Sequence, residues 1–123
     1  PRLDEAAEAI GTFCAVVERT GHDPRIGFRL PACFAEAGLG PPDGTDVTAL
    51  LQELSSGGLM LQEVYNSVFP MAVRLGLADE ADRLRIFSAI DTAIQAGGYH
   101  MMSPLLVGAW KRRPREGTVG IGD

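Results

Sequence analysis

Cysteine and lysine are scarce in this sequence, and long apolar runs are absent. The two cysteines, Cys14 and Cys33, do not form a Cys-x-x-Cys pair, so they predict neither a disulfide framework nor a metal site. No apolar run approaches the roughly 18–20 residues that cross a bilayer. The first residues also lack the basic-then-apolar order of a signal peptide. We therefore expect a cytoplasmic protein with no membrane segment and no metal.

The charge balance is acidic, which bears on the choice of partner. The chain has 11 Lys+Arg and 16 Asp+Glu, giving a net charge of −5, whereas a general nucleic-acid binder carries a net basic face. We therefore expect no nucleic acid as partner, and interpret the basic run at 111–115 as a solubilising strand end. The 123 residues, 46% of them hydrophobic, suffice for one domain, predicted at 1–113 with a flexible tail at 114–123.

Helical periodicity covers most of the chain. Asp79 is suited to cap a helix at its start, while Gly38 and Gly97 are suited to end one. Pro70 lies inside a periodic segment, so that segment is either kinked or divided into two helices that meet near Ser67. The predicted helices are 3–19, Leu30–Ala37, 59–77 and 80–96.

Two segments favour strands. Thr45–Gln52 is rich in Thr and Val at its start, although its second half would also suit a helix. Leu105–Trp110 is a short apolar run after Pro104, which predicts a strand buried on both faces. A sheet of two strands is marginal in water, so we expect more sheet beside it, from a larger protein or from an oligomer, most simply a homodimer.

Side chains suited to a small-molecule pocket concentrate near Pro70 and before the second strand. Aromatic rings and thioethers there could bind a small, partly aromatic substrate, or could simply be core. His100 is the candidate catalytic residue, because imidazole transfers protons and hydrogen-bonds near neutral pH. The candidate substrate-binding residues are Tyr65, Phe69, Tyr99, Met101 and Met102.

Three segments of the sequence, taken together in their order along the chain, carry a resemblance to a known family. Residues 21–39 contain Asp-Pro-x-x-Gly-x-x-Leu-Pro and a predicted short helix that ends in Ala-Gly-Leu. Residues 46–54 would form a strand, and 103–114 would form an apolar strand followed by Lys-Arg-Arg-Pro. Together they resemble the C-terminal half of class I S-adenosylmethionine-dependent methyltransferases of the small-molecule type. The resemblance extends over about residues 10–114, and Phe28 departs from it where a basic residue is usual.

The resemblance implies a fold and a function. The fold would be α/β and mostly helical, the C-terminal part of a Rossmann-like methyltransferase fold, with two terminal antiparallel strands and a helical insertion at about 56–100. The cofactor would be S-adenosylmethionine and the substrate a small-molecule methyl acceptor. Tyr65, Phe69 and the run Tyr99–Met102 would line the substrate pocket or a subunit contact, with His100 as the base.

The family holds its cofactor with a glycine-rich loop after the first strand and an acidic residue after the second, and neither is present in this sequence. We therefore expect a partial methyltransferase that is inactive alone and whose cofactor-binding motifs lie elsewhere. The alternative is a stand-alone helical binding or oligomerisation module without catalytic activity.

Overall fold

A computed structural model describes residues 2–113, and the predicted tail at 114–123 lies outside them. The described chain is α/β and mostly helical, as predicted, with 58% helix. It contains two small antiparallel sheets, where the sequence predicts one pair of antiparallel strands. In chain order its elements are α1 (Asp4–Arg19), a 3₁₀ turn (Ile26–Arg29), α2 (Leu30–Glu36), β1 (Gly44–Thr48), β2 (Leu51–Glu53), α3 (Leu54–Arg74), α4 (Glu80–Ala96), β3 (His100–Met102) and β4 (Leu106–Trp110).

The described residues form two compact units where the sequence predicts one domain at 1–113. The helical unit comprises 2–24 and 49–104, and contains α1, α3, α4 and the antiparallel β2–β3 ladder. The ribbon unit comprises 25–48 and 105–113, and contains the 3₁₀ turn, α2 and the antiparallel β1–β4 ladder.

Three helices enclose the core of the helical unit. An ion pair fastens α1 to α4, since the Arg85 guanidinium donates to both carboxylate oxygens of Glu8, at 2.6 and 2.9 Å. A capping box starts α4, in which the Asp79 and Asp82 side chains each accept from the other's backbone N–H, and Gly97 ends the helix as predicted. The core cluster consists of Ala9, Leu61, Tyr65, Ile86 and Ile90.

Helix α3 begins earlier than the sequence predicts. Residues 55–58 are Ser-Ser-Gly-Gly, which locally favours a turn, yet they form the first turns of the helix. A Cβ on Gly58 would stand 3.1 Å from the Ile90 side chain, so the missing side chain lets α4 pack close. Pro70 lies within the same continuous helix, so the alternative of two shorter helices is wrong.

The predicted strand Thr45–Gln52 is divided in two. Residues 49 and 50 separate β1 from β2, and Pro104 stands between β3 and β4 on the returning chain. Pro104 has no N–H to donate to a ladder. At the end of the β2–β3 ladder, Ser103 bonds Leu50 twice: its N–H donates to the Leu50 carbonyl and its Oγ accepts from the Leu50 N–H, both at 2.8 Å.

The ribbon unit packs a short helical segment on its two strands. The 3₁₀ turn runs into α2, which ends near the predicted Ala37, with Gly38 at φ +80°. Gly27 in the 3₁₀ turn lies against Val107 of β4, where a Cβ would stand 2.9 Å from the valine side chain.

The prediction that the last strand is buried on both faces is wrong. Alternate residues of β4 are exposed, and the Leu106 side chain is 67% accessible. The reason is that β4 pairs only with β1 among the described strands, and the 3₁₀ turn covers one of its faces.

Candidate functional site

Three chain segments of the helical unit meet at one point. Strand β2 passes directly into α3 at Leu54, with no connecting residues. Gly97 and Gly98, at φ +75° and +80°, end α4 and turn the chain into β3. The Leu54 N–H donates to the Tyr99 carbonyl at 3.0 Å, which holds the start of α3 beside the start of β3.

A cleft of about 220 Å³ lies at this meeting point. Its apolar part comes from α3 and the last turn of α4, and its polar part includes a carboxylate, a hydroxyl and an imidazole. The lining residues are Glu53, Leu54, Ser55, Ala93, Ile94, Gly97, Gly98, Tyr99 and His100.

Glu53 and His100 face each other across the β2–β3 ladder. The adjacent pair, Leu54 and Tyr99, carries a ladder hydrogen bond, so Glu53 and His100 form the alternate pair, in which side chains stand closest. Within residues 2–113 the Glu53 carboxylate has one side-chain hydrogen bond, a long one of 3.4 Å from the Ser55 hydroxyl, and no ion pair. The imidazole and the carboxylate are therefore both available to a small molecule in the cleft.

The run Tyr99–Met102 is split between the two faces of β3. The exposed His100 and the half-buried Tyr99 both border the cleft, but the alternation of the strand turns the Tyr99 side chain away from the face of His100. Met101 lies on the opposite face, where its thioether packs against Gly57 of α3. Met102 shares the face of His100 but is 62% exposed and outside the cleft lining. Two of the four predicted residues of this run are thus brought together.

Tyr65 and Phe69 lie away from the cleft lining. The Tyr65 side chain is only 1% exposed, and its ring stacks on Phe69 at 5.9 Å between centroids and meets Phe87 edge-on at 5.8 Å. This position fits the alternative that these rings belong to the core. A substrate could touch Tyr65 only after the core opened, and the substrate role of both residues stays a prediction.

The phenol of Tyr65 is a buried polar group without a partner. Its hydroxyl has no hydrogen-bond partner among residues 2–113. Burial raises the pKa of Tyr65 above its ordinary value, and the nearby carboxylates of Asp82 and Glu8 raise it further. The hydroxyl therefore stays protonated over the physiological range.

Sequence reasoning missed Glu53. It follows the predicted strand by one residue, and nothing in its neighbourhood along the chain marks it as special. Glu53 and His100 are 47 residues apart in the sequence, and only the pairing of their strands places them opposite each other on one face of the ladder.

Other kinds of site find little support in the described part of the chain. No group of three His, Cys, Asp or Glu residues there could hold a metal ion. Cys14 and Cys33 are both unpaired and half-buried. Between residues 2 and 113, no helix has the length and apolar character to cross a membrane.

Comparison with known proteins returns no relative. No protein-family model matches the chain, and neither a curated protein nor a solved structure is significantly similar to it.

Proposed function

We propose that this chain is the substrate-side part of a class I S-adenosylmethionine-dependent methyltransferase and that the cleft at His100 binds the methyl acceptor. One topological observation carries the proposal. The strand segments on either side of α3 and α4 are antiparallel partners, β1 with β4 and β2 with β3. The resemblance implies the same arrangement, two terminal antiparallel strands around a helical insertion.

Within this proposal, the residues of the cleft bind and activate the acceptor. Ile94 contacts its apolar part, and Glu53 and Ser55 border its polar part. The imidazole of His100 accepts a proton from the nucleophilic atom. Methyl transfer depends mainly on alignment of donor and acceptor, so the cleft contributes chiefly by positioning.

The described residues do not fit S-adenosylmethionine. The strand-to-helix junction at Leu54 is followed by Gly57 and Gly58, but these glycines pack against Met101 and Ile90 and are closed to a ligand. We therefore assign the cofactor to residues other than 2–113. We also place the protein in the cytoplasm, where Cys14 and Cys33 would remain reduced.

The experiment isolates the native protein from its source with an antibody to this chain. The precipitate is incubated with methyl-labelled S-adenosylmethionine, irradiated to cross-link bound cofactor, and separated by size. We expect label on a polypeptide that either contains this chain or is bound to it. A precipitate in which no polypeptide takes up label contradicts the methyltransferase proposal.

A matched pair of histidine variants tests the role of the cleft. His100→Gln keeps a polar side chain but loses the base, and we expect methyl transfer to fall by about 10²-fold or more. His22→Gln makes the same change in the turn after α1, outside the cleft lining, and should leave the rate unchanged. Equal rates for both variants would remove His100 from the mechanism.

A second candidate is a binding or oligomerisation module without catalysis, and one observation favours it. Apolar side chains are exposed on both ladders, with Leu51 78% and Leu106 67% accessible. Such surfaces mark interaction sites. This candidate predicts that the antibody precipitate contains a stoichiometric partner, or a second copy of this chain, and takes up no cofactor label.

A further inference from the structure

The groups around the cleft at His100 favour a positively charged ligand. Glu53 contributes a carboxylate, and the carboxyl end of α4, at Gly97, contributes the negative end of a helix dipole. No Lys or Arg from the described part of the chain lines it. The amino end of α3 is also present, but Glu53 occupies its N-cap position and offsets its partial positive charge.

The shape of the cleft limits the size of its ligand. Pockets for drug-sized molecules measure roughly 300–1,000 Å³, whereas an apolar cavity of about 150 Å³ holds benzene. A volume of about 220 Å³ therefore suits one ring with a short substituent. Ile94 provides an apolar contact for such a ring, while Leu54 and Ala93 beside it are only 3% and 5% exposed.

We infer that the cleft recognises a small primary ammonium ion that bears one ring, which makes an amine nitrogen the methyl acceptor. This inference rests on the proposed function and names its substrate class. The Glu53 carboxylate accepts a hydrogen bond from the ammonium group, and the ring lies on Ile94. No lining residue supplies the Lys or Arg that a carboxylate or phosphate ligand would need.

The pairing of Glu53 with His100 also prepares the nitrogen for reaction. One ammonium N–H bond breaks, its electron pair remains on the nitrogen as a lone pair, and the proton forms a new N–H bond on the imidazole of His100. The carboxylate projects from the same face of the ladder as the imidazolium and offsets the charge that the proton brings there. The product of this step is a neutral amine, the form of nitrogen that can accept a methyl group.

Three ligands of nearly equal shape test the charge preference on the unmodified 123-residue chain. They are benzylammonium, benzyl alcohol and benzoate, compared at about pH 8, where aliphatic ammonium groups keep their charge. Binding is followed by the ¹⁵N amide shifts of Gly97, Gly98 and Tyr99. We expect benzylammonium to shift these amides with a Kd at least tenfold below that of benzyl alcohol, and benzoate to have no effect. Equal or tighter binding of the alcohol or of benzoate overturns the inference, as does the absence of any shift with all three.

A pair of glutamate variants tests whether the preference for an ammonium ligand comes from the Glu53 carboxylate. In Glu53→Gln the affinity for benzylammonium should fall about tenfold, to that of benzyl alcohol, because a charge-assisted hydrogen bond is lost. Affinity for benzyl alcohol itself should not change. Glu63→Gln makes the same change on an exposed site of α3 outside the cleft lining and should bind all three ligands as the unmodified chain does. A preference that survives in Glu53→Gln contradicts the assigned role of Glu53.

These outcomes are separable from those of the proposed function. Ammonium binding in the cleft without any cofactor labelling of the native protein would contradict the methyltransferase proposal and leave the ligand class standing. Methyl transfer by the native protein to benzyl alcohol but not to benzylamine would support the methyltransferase proposal and contradict the ammonium ligand class.

Discussion

Tyr65 is the residue whose chemistry fits its surroundings least well. Its ring fills the core of the helical unit, but its hydroxyl is buried without a hydrogen bond, and a buried unsatisfied polar group costs about 1–3 kcal/mol. The ring is therefore the stabilising part of this side chain and the hydroxyl is a cost.

Removing that hydroxyl should stabilise the protein. We expect Tyr65→Phe to raise the free energy of unfolding by about 1 kcal/mol, measured by urea denaturation. Tyr65→Ala, which removes the ring contacts with Phe69 and Phe87, should lower it by about 3–5 kcal/mol. A loss of stability in Tyr65→Phe would show that the hydroxyl has a hydrogen-bond partner. If the hydroxyl instead contacts the substrate, Tyr65→Phe should bind the methyl acceptor more weakly.

The ion pair between α1 and α4 makes stability depend on pH. The hydrogen bonds from Arg85 hold the pKa of Glu8 below its ordinary value of 4.5. The pKa of Asp82 is lowered as well, first by the Asp79 N–H and then by Arg85. Carboxylates with depressed pKa values stabilise the fold above their unfolded pKa, and this contribution is lost as the pH falls through the folded pKa.

We therefore expect the midpoint of thermal unfolding to fall on acidification below about pH 4.5. Arg85→Gln should make that acid dependence shallower and lower the midpoint near neutral pH. Arg74→Gln, a change at an exposed arginine in the last turn of α3, serves as control and should keep the original acid dependence. An acid profile that is identical in Arg85→Gln and the unmodified chain would contradict the role of this pair.

At the scale of elements, glycine decides how closely neighbours approach. In the β1–β4 ladder Gly44 is paired with Trp110, whose indole lies where a Cβ on Gly44 would stand. Gly108 in the same ladder has open space around its Cα. The two glycines therefore differ in packing while sharing a strand environment.

Alanine at these two positions should have opposite effects. Gly44→Ala should lower the free energy of unfolding by about 1–3 kcal/mol, because the rigid indole must move. Gly108→Ala should be neutral or raise it by about 0.5 kcal/mol, since alanine loses less backbone entropy on folding. Tryptophan fluorescence should shift in the first variant only. A red shift in Gly108→Ala, or none in Gly44→Ala, would contradict the packing of Trp110 on Gly44.

The elements with strong local signals were predictable, and those decided by packing were not. Asp79 and Gly97 fix α4 because capping and a left-handed stop depend on adjacent residues. The start of α3 was mispredicted because Gly57 and Gly58 serve contacts with β3 and α4, which no local pattern contains. The break between β1 and β2 at residues 49 and 50 likewise lies near Pro104, which separates β3 from β4 on the strands that pair with them.

The candidate site was predictable only in part, for the same reason. His100 and Tyr99 were identified by residue type, and both line the cleft. Grouping His100 with Tyr99 and Met101 ignores the alternation of a strand, which turns those two side chains to the face opposite His100. Glu53 could be recognised only once the register of β2 with β3 was known.

At the scale of the whole molecule, exposed apolar strand residues favour association. Leu51 and Met102 are a cross-strand pair on β2–β3, and both are largely exposed. Two-stranded sheets are weakly stable alone, and unpaired edges invite further strands. We infer self-association through these ladders, most simply as a homodimer.

Sedimentation equilibrium at about 10–100 µM should give a mass near twice 13.1 kDa. Leu51→Lys should shift the equilibrium to the monomer, because the charge would be buried against the second copy. Val73→Lys, at a half-exposed apolar site on α3, should leave the dimer intact. A monomer throughout this range, or equal dissociation by both variants, would contradict association through the ladders.

The junction at Glu53 and Leu54 has a mechanical consequence. A strand that continues into a helix without a loop has no hinge, so this wall of the cleft cannot swing without tilting all of α3. The bond from the Leu54 amide to Tyr99 opposes such a tilt, and that amide should exchange its hydrogen only when the helical unit opens as a whole. This wall of the cleft is consequently as stiff as α3 itself, and we expect it to discriminate between ligands by fit instead of adapting to them.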